Sequence, residues 1–205
     1  MEYNEKKIRL IEVAEMLFAK NGYAETSIRD IAKHADVNSA MISYYFGSKE
    51  KLIEAIFIFR TTDLSKFFKS VDANSKDYFE SVIVLINLYV DKVFEQQNFY
   101  RLLFQIQAIE KDYLLLDYFN HIRYSNYQTL ENYFSLGKKN GQFKTDFDIT
   151  FLVSTMVGTI NHMFFNQNHY KKINKYETSN DSDFINFYKS KMKAHIEQLV
   201  RSIVF

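Results

Sequence analysis

Cysteine, proline and tryptophan are all absent from this chain, and glycine occurs only five times in 205 residues. Without thiols there is neither a disulfide nor a thiolate metal site, which fits a reducing cytoplasm. Without proline, and with so few glycines, helices can run long, while the signals that mark tight strand turns are scarce. Long apolar runs are missing too. No stretch of about 18 uncharged apolar residues exists to span a membrane, and the acidic residues within MEYNEKKIRLIEVAEMLF argue against a signal peptide. A soluble, cytoplasmic protein is expected. A surplus of one charge sign is lacking as well: the net charge is +1, and residues 1–60 hold nine Lys/Arg against nine Asp/Glu. Any affinity for nucleic acid therefore has to come from where the charges sit.

Hydrophobic residues make up 47% of the chain and charged residues 25%, the balance of a globular protein with a sizeable core. Aromatics reach 17%, with 20 Phe and 15 Tyr. Two readings of this excess stand side by side: rings that fill the core, and rings that line an apolar ligand cavity. Apolar residues recur at helical spacing almost throughout. Ile8, Ile11, Ala14, Leu17 and Phe18 form a first stripe that Asn21-Gly22 closes. Further helical segments are expected at about 49–69, 76–96, 99–111, 112–138, 148–168 and 183–204, with the polar segment Lys171–Ser182 as a loop. The fold class is all-α.

Residues 26–51 read TSIRDIAKHADVNSAMISYYFGSKEK. Ser27, with Asp30 three residues on, has the pattern of a capping box. Ile28, Ile31, Ala32 and Ala35 share one helix face. Ala35-Asp36-Val37 makes a short turn, Asp being a residue that tolerates the left-handed conformation. The next helix, about Ser39–Phe46, is too short to stand alone and needs its neighbours; Val37 and Ile42 fill the angle. Two short helices at a tight turn are a helix-turn-helix, whose second helix enters the DNA major groove.

Over Ile8–Ile56, in the run AEMLFAKNGYAETSIRDIAKHADVNSAMISYYFGSKEKLIEAIF, the chain resembles the tetracycline-repressor-like (TetR) family. Phe18, Gly22, Tyr23, Thr26, Ile31, Ala32, Val37, Tyr45, Phe46, Lys49 and Leu52 fit that pattern, and GKKNGQFKTDFD is a weaker echo of its lead-in to the dimerisation helices. The family commonly has Gly where Asp36 stands and Tyr where Ser43 stands. The resemblance implies a three-helix DNA-binding domain at 1–47 and a larger helical ligand-binding and dimerisation domain at 48–205. It further implies a repressor released from its operator when a small ligand shifts the population of states.

Helix starts that carry hydroxyls and cations suit phosphate oxygens. Thr26, Ser27 and Arg29 mark one such start and Lys49 another, where Ser48 reads equally well as a plain helix cap. On the second helix, Asn38, Ser39, Met41, Ser43 and Tyr44 are candidates for groove contacts. Tyr45 belongs to the DNA-contact set too, although it reads also as packing beside Phe46. Phosphate contacts from so few cations imply modest, salt-sensitive binding.

Polar and aromatic residues within the apolar helices supply the ligand-site candidates: Phe104, Gln105, Tyr118, His121, Tyr124, Asn161 and Phe164. The expected ligand is a small, apolar or aromatic molecule. His162 and His169 lack a third ligand, so neither a metal nor a cofactor is expected. The broad apolar faces of 148–168 and 183–204, with Gly158 between Thr155 and Thr159, suggest a four-helix homodimer interface, and a dimer would read a palindromic double-stranded operator. No Ser-centred elbow, phosphate-cradling Gly loop or spaced carboxylate pair points to an enzyme. The alternative is a helical ligand- or protein-binding module that does not read DNA sequence.

Overall fold

The computed structural model describes residues 4–70, 76–109, 113–176 and 181–205; side chains are described for all of these but 63–70, 108–109, 113–116, 118, 119 and 181. Every regular element among the described residues is a helix: α1 (Glu5–Asn21), α2 (Ile28–Ala35), α3 (Ser39–Phe46), α4 (Lys49–Ser70), α5 (Tyr78–Glu95), α6 (Gln97–Ile109), α7 (Tyr113–Lys139), α8 (Ile149–Phe165), α9 (Gln167–Ile173) and α10 (Asp181–Val204). The all-α expectation holds. No helix among the described residues is long and apolar enough to cross a membrane.

Two compact units emerge. One comprises residues 1–66 and 96–123; the other comprises 67–95 and 124–205. In the first, α1 buries Leu10, Ile11, Ala14, Leu17 and Phe18 and packs on α2 and α6. Asn4 caps its start, accepting from Lys7 N–H at 2.9 Å. Its end needs a residue free to take positive φ, and Gly22 does so at +91°. Phe57 of α4 meets Phe99 of α6 edge-on at 5.3 Å, both buried. Arg60 of α4 reaches across to α1, where Nε bonds the Glu15 carboxylate at 2.6 Å.

In the second unit, the stripe Phe184, Tyr188, Met192, Ile196 and Val200 of α10 is buried, and the helix packs against α5 and α8. Phe94 of α5 sits edge-on to Phe164 at 5.6 Å and to Tyr188 at 6.1 Å. Lys189 and Lys193 of α10 clasp Asp91 of α5 at 2.8 and 2.6 Å. Burial alone would raise the Asp91 pKa, but the two ammonium groups together hold it below its ordinary value. Rings such as Phe57, Phe94, Phe99, Phe164, Phe184 and Tyr188 are thus core filling.

With proline absent, helix ends are made by residues in the left-handed region, Gly141 after α7 and Lys175 after α9 among them, and in one case by an asparagine. The predicted helix 148–168 is divided at Asn166, whose side-chain amide donates to the His162 carbonyl at 2.8 Å, and α9 follows at once. The same bond recurs from Asn140 to Leu136 and from Asn174 to Tyr170, each at 2.8 Å. A short polar side chain that bonds its own backbone competes with helix propagation. The expected loop Lys171–Ser182 is correspondingly shorter: Lys171–Ile173 complete α9, and 177–180 lie outside the described residues.

Gly137, inside α7, permits a close approach. A Cβ there would lie 2.1 Å from the Phe143 ring, which is buried and packed on Phe134 and Phe205. Alanine improves helix propensity by roughly 1 kcal/mol, whereas overpacking costs about 1–3 kcal/mol. Gly137→Ala is expected to lower stability by about 1 kcal/mol in urea unfolding, against the usual benefit of Gly→Ala in a helix. An increase in stability would show that Phe143 moves aside freely.

Candidate nucleic-acid interface

The turn between α2 and α3 is built by Asp36, which adopts φ 56° and ψ 50°. A non-glycine residue is tolerated there because Asp is among the few that enter this region at small cost. Val37 N–H then returns to the Ala32 carbonyl at 3.0 Å. Asn38 caps α3, its Oδ1 accepting from Ala40 N–H at 2.9 Å. Ile31, Ala32, Ala35 and Ile42 are buried at the crossing, while Val37 is half-buried. The small Ala32 lets α3 cross closely.

This packing turns Ala40, Ser43, Tyr44 and Gly47 outward, the spacing of a single helix face. Tyr44 is 83% exposed, and its ring stands edge-on to Tyr45 at 5.3 Å. Asn38 is exposed; Ser39, Met41 and Tyr45 flank the face and are half-buried. Ala40 was not foreseen. A small apolar residue in a short sequence reads as packing, and the signal that finds it is the 40/43/44/47 repeat, opposite the buried Ile42 and Phe46. Arg29, on the first turn of α2, is exposed as a phosphate contact requires.

Three expected phosphate contacts are corrected. Thr26 is 1% exposed, and its hydroxyl donates to the carbonyls of Leu17 and Gly22 at 3.3 and 2.9 Å; its side chain locks the α1–α2 turn. Ser27 forms the expected capping box with Asp30, so its hydroxyl proton is spent on the Asp30 carboxylate rather than on DNA. Those bonds from Ser27 hold the Asp30 pKa below its ordinary value, leaving a carboxylate at the same end. Lys49 turns inward, its ammonium 4.3 Å from the Tyr23 ring centre and 3.5 Å from the Ala24 carbonyl. Burial lowers its pKa. Ser48 acts as a cap, accepting from Lys51 N–H at 3.2 Å.

The ligand-site candidates fare differently. Gln105 of α6 donates through Nε2 to the Ala19 carbonyl of α1 at 3.0 Å, and its buried Oε1 has no hydrogen-bond partner among the described residues. It ties α6 to the end of α1. Phe104 is half-buried, and His121 is exposed. In the second unit Tyr124 is 60% exposed, unlike a residue enclosing an apolar ligand, and Phe164 is fully buried. Asn161 accepts from the Tyr89 hydroxyl at 3.2 Å. The Tyr118 side chain lies outside the described residues. An open groove of about 560 Å³ runs along α8, α9 and α10 instead, lined by Thr155, Gly158, His162, Met163, Tyr170 and His195 among others. Its signal in sequence was the Thr155–Gly158–Thr159 run. No group of three or more His, Cys, Asp or Glu among the described residues is placed to hold a metal.

Residues 10–56, the segment that builds α1, the helix-turn-helix and the start of α4, match the model of the bacterial regulatory proteins of the tetR family. Over this segment, 47 of the 205 residues, the chain is similar to the TetR family. A probable helix-turn-helix transcriptional regulator of Bacillus subtilis, YttP, is 56% identical over 48 residues, 23% of each chain. The matches to the first curated relatives span only about a quarter to a third of those proteins' length. Beyond that segment the likeness is one of fold. The TetR-family regulator PfmR from Thermus thermophilus superposes with a TM-score of 0.74 at 18% identity, covering 94% of this chain and 97% of that one. FadR from Bacillus subtilis, solved with stearoyl-CoA, gives 0.67 at 18% identity, covering 92% and 96%. As a TetR-type fold, the chain has its helix-turn-helix in α2–α3, preceded by α1, and the helices from α4 onward follow it.

Proposed function

We propose that this protein is a dimeric transcriptional regulator, a repressor that leaves a palindromic operator when a small, largely apolar ligand binds. The observation that carries the reading is the outward face of α3, held by the Asp36 turn inside the segment that matches the family. Residues 1–47 would read DNA and residues 48–205 would sense ligand and dimerise. Arg29 would hold a phosphate, and Asn38, Ser39, Met41, Ser43, Tyr44 and Tyr45 would lie in or beside the major groove.

The dimer is favoured by the open side of α8. Phe151, Ser154, Thr155, Gly158, His162 and Phe165 lie along it, exposed, with Phe151 at 76%. Aromatic ends and a small-residue centre suit close helix pairing with a second copy, and α10 presents His195 beside it. An exposed apolar strip of this kind marks an interaction surface. The Gln105–Ala19 bond gives α6 a direct hold on the end of α1, a route by which ligand-induced movement of α6 would alter DNA affinity. The acyl-CoA bound to the FadR neighbour makes a long apolar ligand the first class to try.

Selection of bound sequences from a random DNA library, using the full chain at physiological salt, tests this reading. A palindromic consensus is expected, with affinity falling as salt rises in proportion to the few phosphate contacts made, since each releases counterions. If a folded dimer recovers no consensus, the protein is a helical binding module instead.

A further inference from the structure

The face that α3 offers to DNA is uncharged. Ala40, Ser43, Tyr44 and Gly47 line it, and no Lys or Arg stands anywhere in α3. Guanine is read in the major groove chiefly by Arg or Lys donating to O6 and N7, and adenine by Asn or Gln bonding N6 and N7 together. Neither device is free on α3. The one amide at its start, Asn38, caps the helix with its Oδ1 on Ala40 N–H, which commits it to the end of α3 rather than to its outward face. The cation that follows the helix, Lys49, is folded back onto Tyr23 and Ala24. What remains at the centre of the face is a methyl group at Ala40 and a phenol ring at Tyr44, 83% exposed, with one hydroxyl at Ser43. Apolar groups in the major groove suit the C5-methyl of thymine, the one apolar feature a base edge presents there.

We infer that α3 reads its operator half-site through thymine methyl groups, with Ala40 and Tyr44 as the specificity-determining residues. The inference rests on the DNA-binding reading above and adds the chemistry of its target: A·T pairs where α3 touches the bases, discriminated by a methyl rather than by hydrogen bonds to guanine. Such discrimination is intrinsically shallow per position, because each contact is a single apolar group. A wide half-site or dimeric engagement must then supply the rest.

Deoxyuridine differs from thymidine only by that methyl. The experiment takes the selected duplex, replaces thymidine by deoxyuridine one position at a time in each half-site, and measures Kd of the full-length protein by fluorescence anisotropy. Each α3-contacted position should weaken binding about fourfold, the fold-change expected when one buried methyl is lost, and about sixteenfold when both half-sites are changed. Tyr44→Ala, an exposed substitution checked for an unaltered melting temperature, should erase the penalty at one position per half-site and keep it at the others. A consensus that binds equally well with all its thymines replaced overturns the inference while leaving the DNA-binding reading intact. Failure of a folded protein to select any consensus overturns both.

Discussion

Arg60→Ala is expected to destabilise the first compact unit by about 3 kcal/mol, the cost of removing one member of a buried ion pair. Glu15 is nearly inaccessible on α1, and Arg60 of α4 provides its two hydrogen bonds, at 2.6 and 3.4 Å. Burial already holds the Glu15 pKa above its ordinary value of 4.5, in spite of the bonds from Arg60 that oppose it. A carboxyl raised in the folded state favours folding most when it is protonated. Its contribution is complete below the unfolded value near 4.5 and is lost as pH rises through the folded value. Taking away Arg60 raises the folded value further, so the deficit of Arg60→Ala should be largest at neutral pH and shrink as pH approaches 4.5. Urea unfolding at a series of pH values checks this. The paired change Glu15→Leu with Arg60→Met should recover most of the loss, since an apolar pair of similar volume can replace a buried ion pair without net cost. A deficit independent of pH would show that Arg60 matters through its packing alone.

Phe164→Ala carries the second large expected effect, about 3–5 kcal/mol. The ring is fully buried in the second unit and touches Phe94 and Phe165 at 5.6 and 5.0 Å between centres. Its removal leaves a cavity among rings that are themselves fixed: Phe94 also packs on Tyr188, whose hydroxyl is tied to the Met163 carbonyl at 3.1 Å. Thermal melting of the variant should show a drop of many degrees, with Phe164→Leu intermediate between it and the wild type. A near-normal melting temperature accompanied by loss of ligand response would instead restore Phe164 to the ligand site where its sequence placed it.

How far the sequence reveals the fold depends on the range of the signal. The capping box at Ser27 and Asp30, the left-handed Asp36 and the Asn21-Gly22 helix end are written within four residues, and each stands as read. The short α3 was legible for the same reason. Thr26 was not: a hydroxyl before a helix looks like a cap, and only the return of the chain to Leu17 and Gly22 buries it. Lys49 shows the same limit, since its ammonium is claimed by Tyr23, 26 positions earlier. Phe164 sits on an apolar stripe that suits a cavity wall and a core equally well, and the choice lies with Phe94, 70 positions away. The α8–α9 break was hidden because one asparagine in a long apolar run resembles a tolerated polar insertion rather than a stop.

The asparagine stop at Asn166 gives the chain a particular kind of evolvability. A helix ended by proline is interrupted by the backbone itself, and α7 and α9 turn at the left-handed Gly141 and Lys175, whereas α8 is closed beside a side-chain amide bonded to the fourth carbonyl behind it. One codon change at Asn166 would release that carbonyl and favour a continuous α8–α9, without shifting the helical phase of the residues around it.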